Sequence, residues 1–171
     1  MSLYLYELVP AEGQASAAIK AFDEAVTAAG GELIESQVTT GGTRVFAIAE
    51  FESCRAPQLE AAALDVAEIT GPDQVRLVGA DLDQIKATRP EAGYLVEWDI
   101  PDTIDMETYL ARKKANSPKY ADVPEVTFLR TYVREDMDKC LCFYNAPDEA
   151  AVVRAREVVS TPIDRLHQLE G

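Results

Sequence analysis

The sequence predicts an α+β protein made of two tandem repeats, each with the element order βαββαβ. One observation is that three segments recur in the same order along the chain, at nearly constant offsets of about 90 to 95 residues. The other is that apolar periodicity in each half alternates between the period of two typical of strands and the longer period typical of helices. Together they predict a tandem duplication.

The repeated segments resemble each other in pattern more than in identity. The matched pairs are Tyr4–Glu7 with Tyr94–Glu97, Leu33–Phe51 with Phe128–Ala146, and Asp73–Arg76 with Asp164–His167. In this register Val38 matches Val133 and Arg44 matches Lys139.

In the first repeat, glycines and a proline mark where elements end and begin. The pair Gly30-Gly31 stops a helix, and Pro57 suits the first turn of another. The predicted strands are Leu3–Val9, Glu32–Thr39, Arg44–Phe51 and Gln74–Gly79, and the predicted helices run from about Gln14 to Ala29 and from Pro57 to about Ile69.

The second repeat shows the same order of signals. Acidic residues Asp148 and Glu149 lie where the first turn of a helix favours negative charge. The predicted strands are Tyr94–Ile100, Val126–Val133, Lys139–Asn145 and Asp164–Leu169, with one helix after Asp105 that ends before Pro118 and another from Pro147.

The order βαββαβ is that of the ferredoxin-like fold, in which two helices cover one face of a four-stranded sheet. The uncovered faces of two repeats are expected to bury each other, which gives a pseudo-dimer packed sheet to sheet in an α/β-barrel-like arrangement. The predicted domains are residues 1–80 and 94–171, joined by a linker at 81–93. A small ligand is expected in a cleft between the two sheets. The predicted state is a monomer with an internal pseudo-dimer, and whether pseudo-dimers pair again stays open.

Composition limits the classes of partner. The formal net charge of −14 argues against nucleic acid and against an anionic membrane surface, since both repel an acidic protein. We expect no targeting or membrane-spanning segment, because no apolar run is long enough. The three cysteines, Cys54, Cys140 and Cys142, do not suggest a disulfide framework, which favours a reducing cytoplasm.

The chemistry-bearing residues concentrate in the second repeat. By alternation, Cys140, Cys142 and Tyr144 share one face of their strand, while Leu141 and Phe143 share the other, which we expect to pack against helices. The predicted ligand-binding group in the cleft consists of Glu97, Arg130, Tyr132, Cys142 and Tyr144.

This group is compatible with two kinds of chemistry. Thiolate and carboxylate can bind a soft or borderline divalent metal, with Cys142 and Glu97 as ligands. Alternatively, Arg130 can hold the carboxylate of an organic acid while Glu97 or a tyrosine moves a proton. The plainer interpretation is that buried Cys and Tyr fill a packed seam, with Glu97 paired to Arg130.

Other polar features are expected to be structural. His167, the one histidine, is expected to be a solvated or hydrogen-bonded surface residue. The basic cluster of Arg112, Lys113, Lys114 and Lys119 is expected to be a solvated helix face, although it can also hold an anion. Trp98 is expected to pack under the helices.

The second repeat resembles a known family. The resemblance lies in Tyr94–Pro101, Thr131–Val133 and above all in Cys142–Glu149, and it covers about residues 94–169. The family consists of small ferredoxin-like proteins, largely of unknown function, that includes nickel-binding proteins. The resemblance implies a ferredoxin-like fold, association of two such units and divalent nickel at the sheet interface, with Glu97, Tyr132 and Cys142 at positions typical of the family. The histidines of the family's second helix are absent here, where Ala155 and its neighbours stand.

Two functions therefore remain open. One is a binding protein for a small molecule or for nickel or another divalent metal ion. The other is a metal-free enzyme of cyclase or isomerase type that acts on a small organic molecule in the same cleft. A purely structural or interaction protein is the alternative to both.

Overall fold

The computed structural model describes residues 1–52, 55–88 and 91–170. Cys54 and residues 89–90 of the predicted linker lie outside the described residues. Contacts divide the chain into two compact units, one of Met1–Val75 with Leu82–Arg89 and Glu170, the other of Arg76–Asp81 with Pro90–Leu169.

The first unit contains one long helix and an antiparallel sheet. Its elements are β1 (Ser2–Pro10), α1 (Ala15–Ala28), β2 (Glu32–Val38), β3 (Val45–Phe51), a short α2 (Ala61–Leu64), β4 (Val66–Val78) and α3 (Leu82–Thr88). The strand order is β2-β3-β1-β4. Helix α1 buries Phe22 and Val26 against the sheet. It ends at the predicted glycines, and Gly31 leaves no room for a Cβ, which would lie 2.3 Å from the Phe51 ring.

The second unit has the same strand arrangement. Its elements are β5 (Tyr94–Asp99), α4 (Met106–Asn116), a 3-10 helix (Ser117–Asp122), β6 (Thr127–Arg134), β7 (Lys139–Asn145), α5 (Glu149–Val158) and β8 (Arg165–Gln168). The strand order is β6-β7-β5-β8, with antiparallel neighbours. Residues from α4, α5 and the sheet form one hydrophobic core. The predicted α+β class is confirmed. No helix in the described parts of the chain is long and apolar enough to cross a membrane.

The region after Pro57 differs from its prediction. The helix covers only Ala61–Leu64, because Asp65 adopts a left-handed conformation, with φ of 54°, that ends it. Strand β4 then begins at Val66 rather than at Gln74 and pairs with the end of β1, so that Ile69 lies opposite Leu8. Branched residues such as Val66 and Ile69 favour this strand. The predicted linker at 81–93 also contains a helix, α3.

The start of α5 provides a local test of stability. The Asp148 carboxylate accepts a hydrogen bond from the backbone N–H of Ala151 at 2.8 Å, which caps the helix. Replacing Asp148 with Ala is expected to lower the free energy of unfolding by about 1 kcal/mol, measured by urea denaturation. Asp148→Asn keeps an acceptor and should lose much less. Equal losses of stability in the two variants would show that the negative charge of Asp148, and not the capping hydrogen bond, stabilises the start of α5.

Candidate functional site

The cysteine side chains of strand β7 point towards helices α4 and α5. Cys140, Cys142 and Tyr144 belong to the core formed with α4 and α5, whereas Leu141 and Phe143 point to the other face. This reverses the predicted orientation. The apolar pattern could not decide between the faces because six of the seven β7 residues are buried.

The five predicted site residues therefore do not form one group. Glu97 and Tyr132 each lie opposite Leu141 in the strand register, on the face away from the core helices. Arg130 lies on that same face, with its guanidinium 4.8 Å from the centre of the Phe143 ring. Cys142 and Tyr144 are on the helix-covered face. A role for each residue in ligand binding stays a prediction, but one shared site for all five is excluded by the alternation of the strands.

Glu97 is the centre of an ion-pair network. Its carboxylate, 3% exposed, accepts hydrogen bonds from Lys139 Nζ at 2.6 Å, Arg165 Nε at 2.8 Å and His167 Nε2 at 2.8 Å. Burial raises the pKa of Glu97, but the hydrogen bonds from His167, Lys139 and Arg165 outweigh it and bring the pKa down to about 2. The expectation that His167 is hydrogen-bonded is confirmed. Two of these partners come from β8, which sequence reasoning had not connected with Glu97.

A pocket opens on the helix-covered face of the second unit. Its walls come from β5, α4, the 3-10 helix, β7 and the end of α5, and include Trp98, Tyr109, Arg112, Lys113, Cys142 and Arg156. The pocket is partly open to solvent, and the centres of water-sized atoms can occupy about 30 Å³ of it. That room is enough for one or two water molecules or for the head of a small ligand.

The prediction that Trp98 packs under the helices is confirmed. Its ring stacks on Tyr109 with ring centres 6.1 Å apart, under α4. Arg112 lies above the Trp98 ring at 5.6 Å, so a residue of the basic cluster borders the pocket instead of only facing solvent. Lys113, also from that cluster, lies 4.4 Å above the Phe128 ring.

Arg156 is the site residue that sequence reasoning missed. It is 3% exposed, and its guanidinium donates to the Tyr144 hydroxyl at 3.1 Å, the Cys142 sulfur at 3.5 Å and the Pro162 carbonyl at 2.8 Å. Burial would lower the pKa of Arg156, but Cys142 and Tyr144 outweigh it and raise it. A signal was available, since helical spacing places Arg156 beside the buried Ala151, Val152 and Ala155.

Two buried donors at this pocket have no acceptor. Within the described parts of the chain, Arg156 Nε and Arg112 Nε make no hydrogen bond although both atoms are buried. Arg112 uses its Nη2 for the Ser160 carbonyl. An unsatisfied buried donor on a charged group costs roughly 1–3 kcal/mol or more, so a bound acceptor would relieve an existing penalty.

Cys142 lies among hydrogen-bond donors. Thr131 Oγ1 donates to its sulfur at 3.2 Å, Arg156 Nη1 lies at 3.5 Å, and the Cys140 sulfur lies at 3.9 Å. The Cys140 thiol and the charges of Lys113 and Arg156 hold the pKa of Cys142 well below its usual range, against the effect of burial. The pKa of Cys140 is raised, by its contact with Cys142 and by burial. The hydrogen bonds from Thr131 and Arg156 therefore favour a thiolate at Cys142.

Comparison with protein families gives one match. Residues 94–169 match the family model described as nickel responsive protein SCO4226-like. The SCO4226-like segment runs from the start of β5 to the residue after β8, and it is the stretch over which the sequence had indicated a nickel-binding family. No curated protein matches the chain.

Solved structures resemble the whole chain in fold. A chlorite dismutase candidate called TA0507 has a TM-score of 0.58 and 14% identity, and the match covers 100% of this chain and 96% of that one. A monooxygenase candidate from Lactobacillus acidophilus NCFM has a TM-score of 0.53 and 12% identity, with coverage of 99% and 92%. At these identities the likeness shows the fold alone.

The described residues do not form the nickel site that the sequence predicts. Glu97 and Cys142, the two predicted ligands, lie on opposite faces of the sheet. In residues 1–52, 55–88 and 91–170 no group of three or more His, Cys, Asp or Glu side chains is placed to hold a metal ion. The two thiols at the pocket stand beside Arg156 and Lys113, whose charges repel a divalent cation.

Proposed function

We propose that this chain binds a small anion in the pocket of its second unit, with the anionic group between Arg112, Lys113 and Arg156. The observation that carries this proposal is the pair of buried guanidinium Nε atoms without an acceptor. The sequence predicts a small-ligand-binding protein, and the proposal adds that the ligand is an anion and that it binds in this pocket.

The charge of the pocket supports an anion. Three cationic side chains line it, and the described lining residues include no carboxylate. The negative charge of a Cys142 thiolate offsets only one of these three. The pocket is therefore a positive site within a chain whose net charge is −14, so an anion is drawn to this point and not to the surrounding surface.

The size of the pocket indicates a small anionic group with room for a modest organic part. About 30 Å³ accommodates a carboxylate or an oxyanion near the arginines. Trp98 and Tyr109 offer aromatic surface for apolar atoms attached to that group. A guanidinium with a free Nε–H is well suited to an oxygen acceptor, because charge-assisted hydrogen bonds are shorter and stronger than neutral ones.

The enzymatic alternative, a metal-free cyclase or isomerase, stays a prediction. Such a reaction needs a proton-transfer group at the ligand. The described lining residues contain neither a carboxylate nor an imidazole, and the pKa values of Tyr109 and Tyr120 are raised, mainly by burial. These conditions favour binding over proton transfer.

Titration with acetate, phosphate and sulfate tests the proposal, with Trp98, the one tryptophan of the chain, as reporter. At least one of these anions is expected to give a saturable change in fluorescence and a higher Tm. Arg112→Gln should weaken that binding about tenfold, which corresponds to about 1.4 kcal/mol.

Arg154→Gln is the matched control. It removes one positive charge, as Arg112→Gln does, but from α5. Arg154 pairs with Glu125 at the surface, at a distance of 3.1 Å, and it does not line the pocket. Its affinity should equal that of the parent protein. The proposal fails if none of the three anions gives a saturable signal, or if both arginine variants weaken binding equally, since the effect would then be one of net charge.

We further propose that the two units arose by tandem duplication. Tyr4 lies opposite Ala49 in the first sheet as Tyr94 lies opposite Tyr144 in the second, which is the register that the repeat alignment predicts. Glu7 also pairs with Arg44 at 3.1 Å, as its counterpart Glu97 pairs with Lys139.

The two copies differ at the pocket. The counterparts of Cys142 and Tyr144 are Ala47 and Ala49, which lie in the core of the first unit against α1. That core is filled by Phe22, which packs edge to face on Tyr6 at 5.0 Å. The proposed anion site is therefore a feature of the second copy.

A further inference from the structure

The sulfur of Cys142 can react as a nucleophile, and the proposed anion binding does not use this reactivity. It lies at the wall of the pocket, next to Arg156, whose buried Nε has no acceptor among the described residues. We propose that Cys142 is a modification site at which a hydroperoxide of the size of hydrogen peroxide oxidises the thiolate to a sulfenic acid.

The first requirement is a thiolate, because the thiolate and not the thiol attacks peroxide. Two donors point at the Cys142 sulfur, the Thr131 hydroxyl at 3.2 Å and Arg156 Nη1 at 3.5 Å. Both hydrogen bonds stabilise the negative charge, as does the nearby Lys113 ammonium. Thr131 is fully buried, so packing holds its hydroxyl in place and water does not compete for its hydrogen bond to the sulfur.

The second requirement is a place for the peroxide beside the sulfur. The pocket has room for a molecule with two oxygen atoms, because about 30 Å³ is enough for one or two water molecules. The Arg156 guanidinium already contacts the sulfur through Nη1, and its Nε–H has no acceptor within the described structure. An oxygen of the peroxide can accept from this donor while it approaches the sulfur.

The step balances with hydrogen peroxide as the oxidant. The Cys142 thiolate attacks one oxygen, a sulfur–oxygen bond forms, and the oxygen–oxygen bond breaks. The sulfur loses two electrons and becomes a sulfenic acid, and the peroxide is reduced to hydroxide, which takes a proton from solvent and becomes water. The guanidinium stabilises the charge that develops on the departing oxygen.

Cys140 supplies an internal comparison. It is on the same strand face, its sulfur is 3.9 Å from that of Cys142, and it also lines the pocket. Its pKa is raised where that of Cys142 is lowered. Both cysteines are 1% exposed, but the hydrogen bonds from Thr131 and Arg156 reach the sulfur of Cys142, so the proposed reaction should select Cys142.

The experiment treats the full-length reduced protein with hydrogen peroxide in the presence of dimedone, which traps sulfenic acids, and locates the label by peptide mass spectrometry. We expect labelling at Cys142 at least tenfold faster than at Cys140. The Cys140→Ser variant should keep the label. Equal labelling of the two cysteines, or labelling of Cys142 only after denaturation in urea, would overturn the proposal.

Thr131→Val tests the positioning role of the hydroxyl with little change in volume. It should slow labelling of Cys142 severalfold and shift the pH profile of Cys142 alkylation by iodoacetamide to higher pH, because the thiolate loses a donor. An unchanged rate together with an unchanged pH profile contradicts the role of Thr131. The inference shares its pocket with the proposed anion site but does not rest on it, since labelling without anion binding, or binding without labelling, separates the two.

Discussion

Replacing Glu97 with glutamine is expected to lower the free energy of unfolding at neutral pH by about 3 kcal/mol. The folded protein holds the pKa of this carboxyl at about 2 against the usual 4.5, and each pKa unit corresponds to about 1.36 kcal/mol. A neutral amide would also remove the negative charge that lies 2.6 Å from Lys139 Nζ, on a side chain that is 11% exposed. Urea denaturation followed by circular dichroism measures the loss.

The lowered pKa of Glu97 should also make the stability of the protein depend on pH. Since the folded pKa of Glu97 lies below its unfolded value, its contribution is fully present above about pH 4.5 and disappears as the pH falls towards 2. The parent protein should therefore lose stability over this window more steeply than Glu97→Gln. Parallel pH profiles for the two proteins would contradict the assigned role.

The repeat provides a control for this prediction. Glu7 occupies the equivalent position in the first unit, and it pairs with Arg44, whose side chain is 37% exposed. An ion pair of this exposure stabilises by about 1 kcal/mol or less. The loss of stability for Glu7→Gln should thus be much smaller than that for Glu97→Gln, and an equal loss would contradict the prediction that solvent exposure of the ion pair sets the difference.

Replacing Trp98 with alanine is expected to cost about 3–5 kcal/mol, as is typical for removal of a large buried aromatic side chain. Trp98 is 4% exposed, stacks on Tyr109 and supports Arg112 through a cation–π contact. The loss combines burial, ring stacking and the position of α4. Thermal and urea unfolding followed by circular dichroism are the measurements, because the variant has no tryptophan fluorescence.

Trp98→Phe separates these effects. It keeps an aromatic ring under Arg112 and should retain more than half of the stability lost in Trp98→Ala. Anion binding should also persist in the phenylalanine variant, measured by calorimetry. A loss below about 1 kcal/mol in the alanine variant would mean that the ring is not part of the core.

The strands and helices of the second unit were predictable because their signals agree. Asp105 and Asp148 cap helices, and the apolar residues of β5 and β7 mark two neighbouring strands. The orientation of β7 was not predictable, since both of its faces are buried and alternation alone does not say which one meets the helices. The prediction that placed Cys142 with Glu97 was wrong for that reason.

The pocket itself depends on long-range contacts that no local pattern contains. Helical spacing places Arg156 on the buried face of α5, but its partners Cys142 and Tyr144 come from β7 and do not follow from that spacing. The branched residues of β4 favour a strand, but the pairing with the end of β1 determines where the strand begins. Local preference and tertiary pairing contribute in both cases.

Both arginines of the pocket are tied to the short segment that follows α5. Arg112 donates to the carbonyl of Ser160, and Arg156 donates to the carbonyl of Pro162. Two cations from different helices thus share one backbone anchor, and a shift of that segment moves them together. Substitutions of Ser160 or Pro162, which are not among the described lining residues, can therefore change the spacing of the two charges, and with it the preferred shape of the anion, while the side chains that line the pocket stay the same.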